Sequence, residues 1–220
     1  SSAASDVYKR QDSLRILHNP LTGWVLYASM GVDAADFWAQ YDHMYIPELG
    51  HNVSVTDYAH TLYIRASWTD FNPQEDVYGW KIDSNLRAYI EGAYQRNMRL
   101  AFRVVVDSRD KRTEFTPQFV KDAGAKGFMN KGKWSPYSDD PVFQKYYTKF
   151  VKALAKDFND PSKVEFIDGF GLGKWGEYHT MIYSTGDDTP KKAVFDWVTD
   201  IYSQAFDKVP VVINYHRWIG

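Results

Sequence analysis

Cysteine is absent from the 220 residues. That absence excludes disulfides, Cys-type zinc sites and thiol nucleophiles, and it leaves the compartment open, because reduced and oxidising environments both hold cysteine-free chains. An excess of either charge is lacking too: 26 Lys and Arg stand against 28 Asp and Glu, a formal net charge of −2. The basic residues are scattered along the chain, so no electrostatic footprint for nucleic acid or an acidic membrane surface emerges. No apolar run approaches the roughly 20 residues a membrane-spanning helix needs. Linkers, low-complexity tracts and internal repeats are missing as well, so a second domain is not indicated. The partner classes left are small molecules and neutral polymers.

What the chain does have is aromatic surface: 17% of its residues are aromatic, eight of them tryptophan, within an apolar share of 44%. That suffices for one large core. Apolar, β-branched or aromatic runs alternate with longer amphipathic segments, the signature of strand–helix units around a parallel sheet. LTGWVLYAS (21–29), TLYIRAS (61–67), MRLAFRVVVD (98–107), VEFIDGFGL (164–172) and VPVVINYH (209–216) read as five strands. Residues 81–96, 141–158 and 191–208 carry apolar positions at helical spacing, with an earlier helix near 36–47.

The ends read differently. SSAASDVYKRQ (1–11) resembles the conceptual translation of a sequencing adapter and is set aside from fold reasoning, an ordinary disordered N-terminus being the alternative. On that reading any signal peptide would lie upstream, and residues 12–220 form the N-terminal part of a single barrel domain.

The connections are lopsided. Helix-to-strand links such as NDPSK (159–163) are short, whereas the strand-to-helix links 108–140 and 173–190 are long. In a (β/α)8 barrel the strand-to-helix loops build the face where active sites sit. Five strands in about 195 residues extrapolate to roughly 300 or more for eight units, against about 250 typical. The expected fold is therefore an α/β (β/α)8 TIM barrel of which the first five units are present. Such a piece would expose an open sheet edge and fold poorly alone. An open doubly wound sheet, whose strand order reverses at a ligand site, is the alternative.

GLGKWGEYH (171–179) lies on the expected active face, directly after a strand. Glu177 there sits among Trp175, Tyr178 and His179, and desolvation by aromatic rings would suit it to general-acid work on a leaving alcohol. The plainer alternative is a loop salt bridge. Trp68, Trp134, Trp175 and Trp218 each follow a different strand, and flat rings are what the apolar faces of sugars stack against; loop packing is the competing role. Trp80 opens a helix and reads as structural. Arg65, Arg103, Asp107 and His216, with Asp70 just beyond the second strand, would offer polar contacts to sugar hydroxyls, or form salt bridges inside the barrel. Asp168 reads as a candidate for the interior layers.

These residues carry a family resemblance. RASWTDFNPQEDVYGWKID resembles the segment after the second strand of clan-A-type (β/α)8 glycoside hydrolases, and FIDGFGLGKWGEYH is similar to little-characterised glycosidase-like barrels with a GKWGE-type sequence at strand four. The resemblance implies that Glu177 is the acid/base residue of a retaining glycosidase, that the nucleophile is a glutamate on a seventh strand beyond residue 220, that no cofactor is needed, and that the protein is secreted or periplasmic. One departure matters: many clan members place Asn before the acid/base residue, to contact the sugar 2-hydroxyl, and here Gly176 stands there. Two other classes compete. A metal-dependent sugar-converting barrel would use Asp107, Glu177, His179 and His216 as oxygen and nitrogen donors, and a catalytically inactive barrel would only bind carbohydrate through its tryptophans.

Overall fold

A computed structural model describes residues 23–109 and 113–213. Five parallel strands form the central sheet: β1 (Trp24–Tyr27), β4 (Ala59–Ser67), β5 (Arg99–Val105), β8 (Val164–Asp168) and β9 (Val211–Val212). They are hydrogen-bonded in the order β1-β4-β5-β8-β9. Every step runs to the next strand in sequence with no reversal, which is barrel winding and removes the doubly wound alternative.

Helices fill the crossovers. Between β1 and β4 lie α1 (Ala34–Asp42) and a hairpin of β2 (Met44–Ile46) and β3 (His51–Val53). Between β4 and β5 lie α2 (Trp68–Phe71), α3 (Gly79–Ile82) and α4 (Ser84–Gln95). The β5 to β8 crossover holds α5 (Gln118–Asp122), a hairpin of β6 (Gly127–Asn130) and β7 (Lys133–Pro136), and α6 (Pro141–Phe158); α7 (Lys191–Ala205) joins β8 to β9. Local chemistry fixes the starts: Asp83 accepts from Leu86 N at 2.7 Å to begin α4, and Asp140 accepts from Phe143 N at 2.8 Å, with proline following, to begin α6. Asp83 also splits the single expected helix 81–96 in two.

Strand alternation sorts side chains onto two faces. Leu62 and Ile64 of β4 pair with Leu100 and Phe102 of β5, and all four are fully buried toward the helices. There they meet an aromatic layer: Phe102 lies 5.9 Å from Phe71 and 4.8 Å from Phe158, ring centre to ring centre. Trp80 matches its structural reading, donating to Asp157 at 2.8 Å and stacking on Tyr78. On the inner face, Tyr63 and Arg65 are in register with Ala101 and Arg103. Among the described residues no helix is long and apolar enough to cross a membrane.

Some boundaries differ from expectation. The fourth strand ends at Asp168 and not at residue 172, because Gly169 and Gly171 turn into the left-handed region. The first is four residues long; the fifth is described only to residue 213, its expected remainder lying outside the described residues.

Candidate active site

At the C-terminal end of β8 the chain folds back on itself. Tyr178 N donates to Leu172 O at 2.9 Å, Lys174 N to His179 O at 3.0 Å, and Val106 N ties the segment to β5 by donating to Gly171 O at 3.1 Å. A Cβ on Gly171 would run into the Val104 carbonyl and come within 2.6 Å of the Tyr147 hydroxyl, and its φ is +74°. That close approach is why glycine stands there. Three bulkier residues, Trp175, Tyr178 and Thr180, also have φ between +50° and +62°. Left-handed backbone at a Trp, a Tyr and a β-branched Thr is strained and persists only where its surroundings enforce it.

The product of this folding is the placement of Glu177, whose side chain is 35% exposed. Its Oε1 accepts from Arg103 Nη1 at 2.9 Å. The same guanidinium donates to Asp168 Oδ2 from Nε at 3.1 Å and from Nη2 at 2.7 Å, and that oxygen also accepts from the Tyr63 hydroxyl at 2.5 Å. Burial alone would lower the Arg103 pKa; the pairing with Asp168, aided by Tyr63 and Glu177, outweighs it and raises the pKa above the ordinary arginine value. Burial first, then Asp168, pushes the Tyr63 hydroxyl well above its usual range, so it stays a donor. His179 Nε2 lies 3.7 Å from Glu177 Oε2.

An open cleft of about 360 Å³ is lined by Tyr27, Tyr63, Arg65, Arg103, Trp175 and Glu177. Trp175 is 40% exposed, with Lys174 Nζ 4.6 Å from its ring and the His179 ring 5.5 Å away. Arg65 Nη2 donates to the Trp175 carbonyl at 3.0 Å. Arg65, Arg103, Trp175, Glu177 and His179 are thus brought together. Of the neighbours expected around Glu177, Trp175 shares its cleft and His179 lies 3.7 Å away, whereas Tyr178 turns away to pack on Phe170 and Phe195.

The other expected site residues stand elsewhere. Trp68 is 0% exposed, because it opens α2 and packs 5.2 Å from Tyr147 and 5.7 Å from Phe150; it is a core residue and not a sugar platform. Trp134 is buried in β7 with Lys121 over its ring. Asp70 closes a capping box with Ser67, accepting from Ser67 N at 3.0 Å while Ser67 Oγ accepts from Asp70 N. Asp107 is buried and binds Arg109 Nε at 2.7 Å, and Arg109 reaches across to the Thr180 carbonyl. It therefore latches two loops. His216 and Trp218 lie outside the described residues. Among the described residues no three His, Asp or Glu side chains gather as a metal-binding group, so the donor set drawn from Asp107, Glu177 and His179 is not assembled. Sequence reading missed Tyr27 and Tyr63; the i, i+2 spacing of Tyr63 and Arg65 on one strand was the available signal.

No family model and no curated protein matches the chain. Solved structures do. An exo-β-1,4-mannosidase from Opitutaceae bacterium strain TAV5 aligns with a TM-score of 0.52 at 17% identity, over 81% of this chain and 28% of that one. A GH5_18 protein from Bifidobacterium longum subsp. longum, in complex with Manβ1-4GlcNAc, aligns at 0.44 and 13% identity over 72% and 35% of the two chains. An endogalactoceramidase aligns at 0.45 and 14% identity over 88% and 48%. The chain spans under a third of the mannosidase's length. Its five parallel strands with their helices have the fold of the TIM-barrel glycoside hydrolases.

Proposed function

We propose that this chain carries the acid/base half of a retaining glycoside hydrolase acting on an oligo- or polysaccharide. The observation that supports it is Glu177: a partly exposed carboxyl group just beyond the C-terminal end of the fourth parallel strand, in a cleft bordered by Tyr27, Tyr63 and Trp175. In this reading Glu177 donates its proton to the glycosidic oxygen as the bond to the anomeric carbon breaks. A second carboxylate, supplied from outside the described residues, attacks that carbon and forms a glycosyl ester. Glu177 then takes a proton from water, whose oxygen displaces the ester. The two carboxyl groups should stand about 5 to 5.5 Å apart. Trp175 offers a face for a sugar ring, and Arg65 a donor for its hydroxyls.

The test is Glu177→Gln in the full-length protein, assayed on a panel of natural glycosides that includes β-1,4-mannosides, the linkage named for the Opitutaceae enzyme. General-acid catalysis contributes about 10²- to 10⁴-fold, so turnover should fall by at least the lower figure. Turnover within twofold of wild type would remove Glu177 from the role. A binding-only barrel is the second reading, favoured by the ion pair that Glu177 makes with Arg103. Saturable glycan binding by the wild-type full-length protein, with no product released, would establish it.

A further inference from the structure

Arg103 can offer a carboxylate two parallel donors along one edge of its guanidinium fork. Here Nε and Nη2 are both directed at Asp168 Oδ2, and Nη1 donates to Glu177 Oε1. Asp168 is held in turn by the Tyr63 hydroxyl at 2.5 Å. Arg103 is only 8% exposed and Asp168 is largely buried with it, so their contact is poorly screened, while the Glu177 carboxyl group is open to more solvent. Two consequences follow. Glu177 takes the Arg103 hydrogen bond on Oε1, while its Oε2 lies 3.7 Å from His179 Nε2. The charge of Arg103 is also already offset by Asp168, so that Arg103, Asp168 and a protonated Glu177 together are neutral.

We propose that Asp168, anchored by Tyr63, is a positioning residue that acts on Glu177 through Arg103: it offsets the guanidinium charge beside Glu177 and lets Glu177 carry a proton. The proposal rests on Glu177 being the acid/base residue. Without the Asp168 charge, Arg103 bears its whole charge against Glu177, which favours the ionised carboxylate. The other groups near Glu177 are Tyr27 from β1 and Tyr63 and Arg65 from β4, which line its cleft, and His179 from its own loop; Lys174 of that loop stands over the Trp175 ring. They remain unchanged apart from the residue substituted.

The test follows the proton and not turnover. The full-length protein is prepared with glutamate labelled at its carboxyl carbon, and the Glu177 signal is identified by its loss in Glu177→Gln. In Asp168→Asn that signal should titrate about one pH unit below wild type, the lower end of what a neighbouring opposite charge does to a carboxylate. Asp168→Glu should return it toward the wild-type position. An unmoved signal in a folded Asp168→Asn protein overturns the proposal. Should that variant fail to fold, Arg103→Gln decides: its Glu177 signal should titrate above wild type, and an unmoved one is equally fatal. Because the readout is protonation, a shifted titration in a protein that hydrolyses no glycoside would defeat the glycosidase reading while leaving the coupling intact.

Discussion

The two faces of β4, β5 and β8 alternate residue by residue, yet they are built for different ends. Toward the helices stand Leu62, Ile64, Leu100, Phe102 and Ile167, all buried, against an aromatic layer that includes Trp68, Phe71, Tyr147 and Phe150. Toward the inside stand Tyr63, Arg103 and Asp168, linked by an ion pair and hydrogen bonds, and Arg65, which donates to the Trp175 carbonyl; Tyr63, Arg65 and Arg103 line a cleft. One face gains its stability from area removed from water. The other gives up apolar burial for a charged network, and a sheet that carries both must keep strict register, since a slip by one residue would exchange the faces.

The comparison breaks most sharply at Trp68, which the sequence places at a strand end with the polar residues but the structure places on the core side. Trp68→Ala should cost about 3 to 5 kcal/mol of stability, read by chemical denaturation. A cost near that of an exposed residue would show that the ring is not structural after all. Gly171→Ala comes next, because it forces a side chain into the Val104 carbonyl at a left-handed position. Strain of that kind is worth about 1 to 3 kcal/mol. The same denaturation series should show the loss, and an unchanged midpoint would mean that the segment after β8 relaxes freely.

The strand order, the helices 141–158 and 191–208 and the long strand-to-helix loops were legible because they rest on local periodicity and loop length. Helix α6 coincides with its expected limits at Pro141–Phe158, where an acidic cap and a proline mark the start. The hairpins β2–β3 and β6–β7 were not legible: Met44–Ile46 and Lys133–Pro136 are short, and neither pair shows sustained alternation. Within the site, Glu177 and Trp175 could be read from one segment. The clamp could not, since Arg103 lies 65 residues before Asp168 and 74 before Glu177, and nothing local joins them. Trp68 misled for a similar reason. A tryptophan just past a strand looks like a loop residue unless the capping box of Ser67 and Asp70 is recognised as a helix start.

The smallest expected stability effect sharpens the contrast from the inner face. Arg65 shares its strand with Leu62 and Ile64, but its Nη2 reaches only a backbone carbonyl, and its Nε is buried without a hydrogen-bond partner among the described residues. Removing a polar atom that is already unsatisfied forfeits little, and the aliphatic stem can be kept by methionine. Arg65→Met also gives up the exposed hydrogen bond to the Trp175 carbonyl, so it should move the denaturation free energy by no more than about 1 kcal/mol, the net worth of one ordinary hydrogen bond. If the inner face serves a sugar, the same change in the full-length protein should lower kcat/KM about tenfold, the loss of roughly 1.4 kcal/mol that one charged hydrogen bond contributes. A variant that loses stability as Trp68→Ala does, with kcat/KM intact, would show that Arg65 supports the barrel and not the ligand, and the division between the two faces would have to be redrawn.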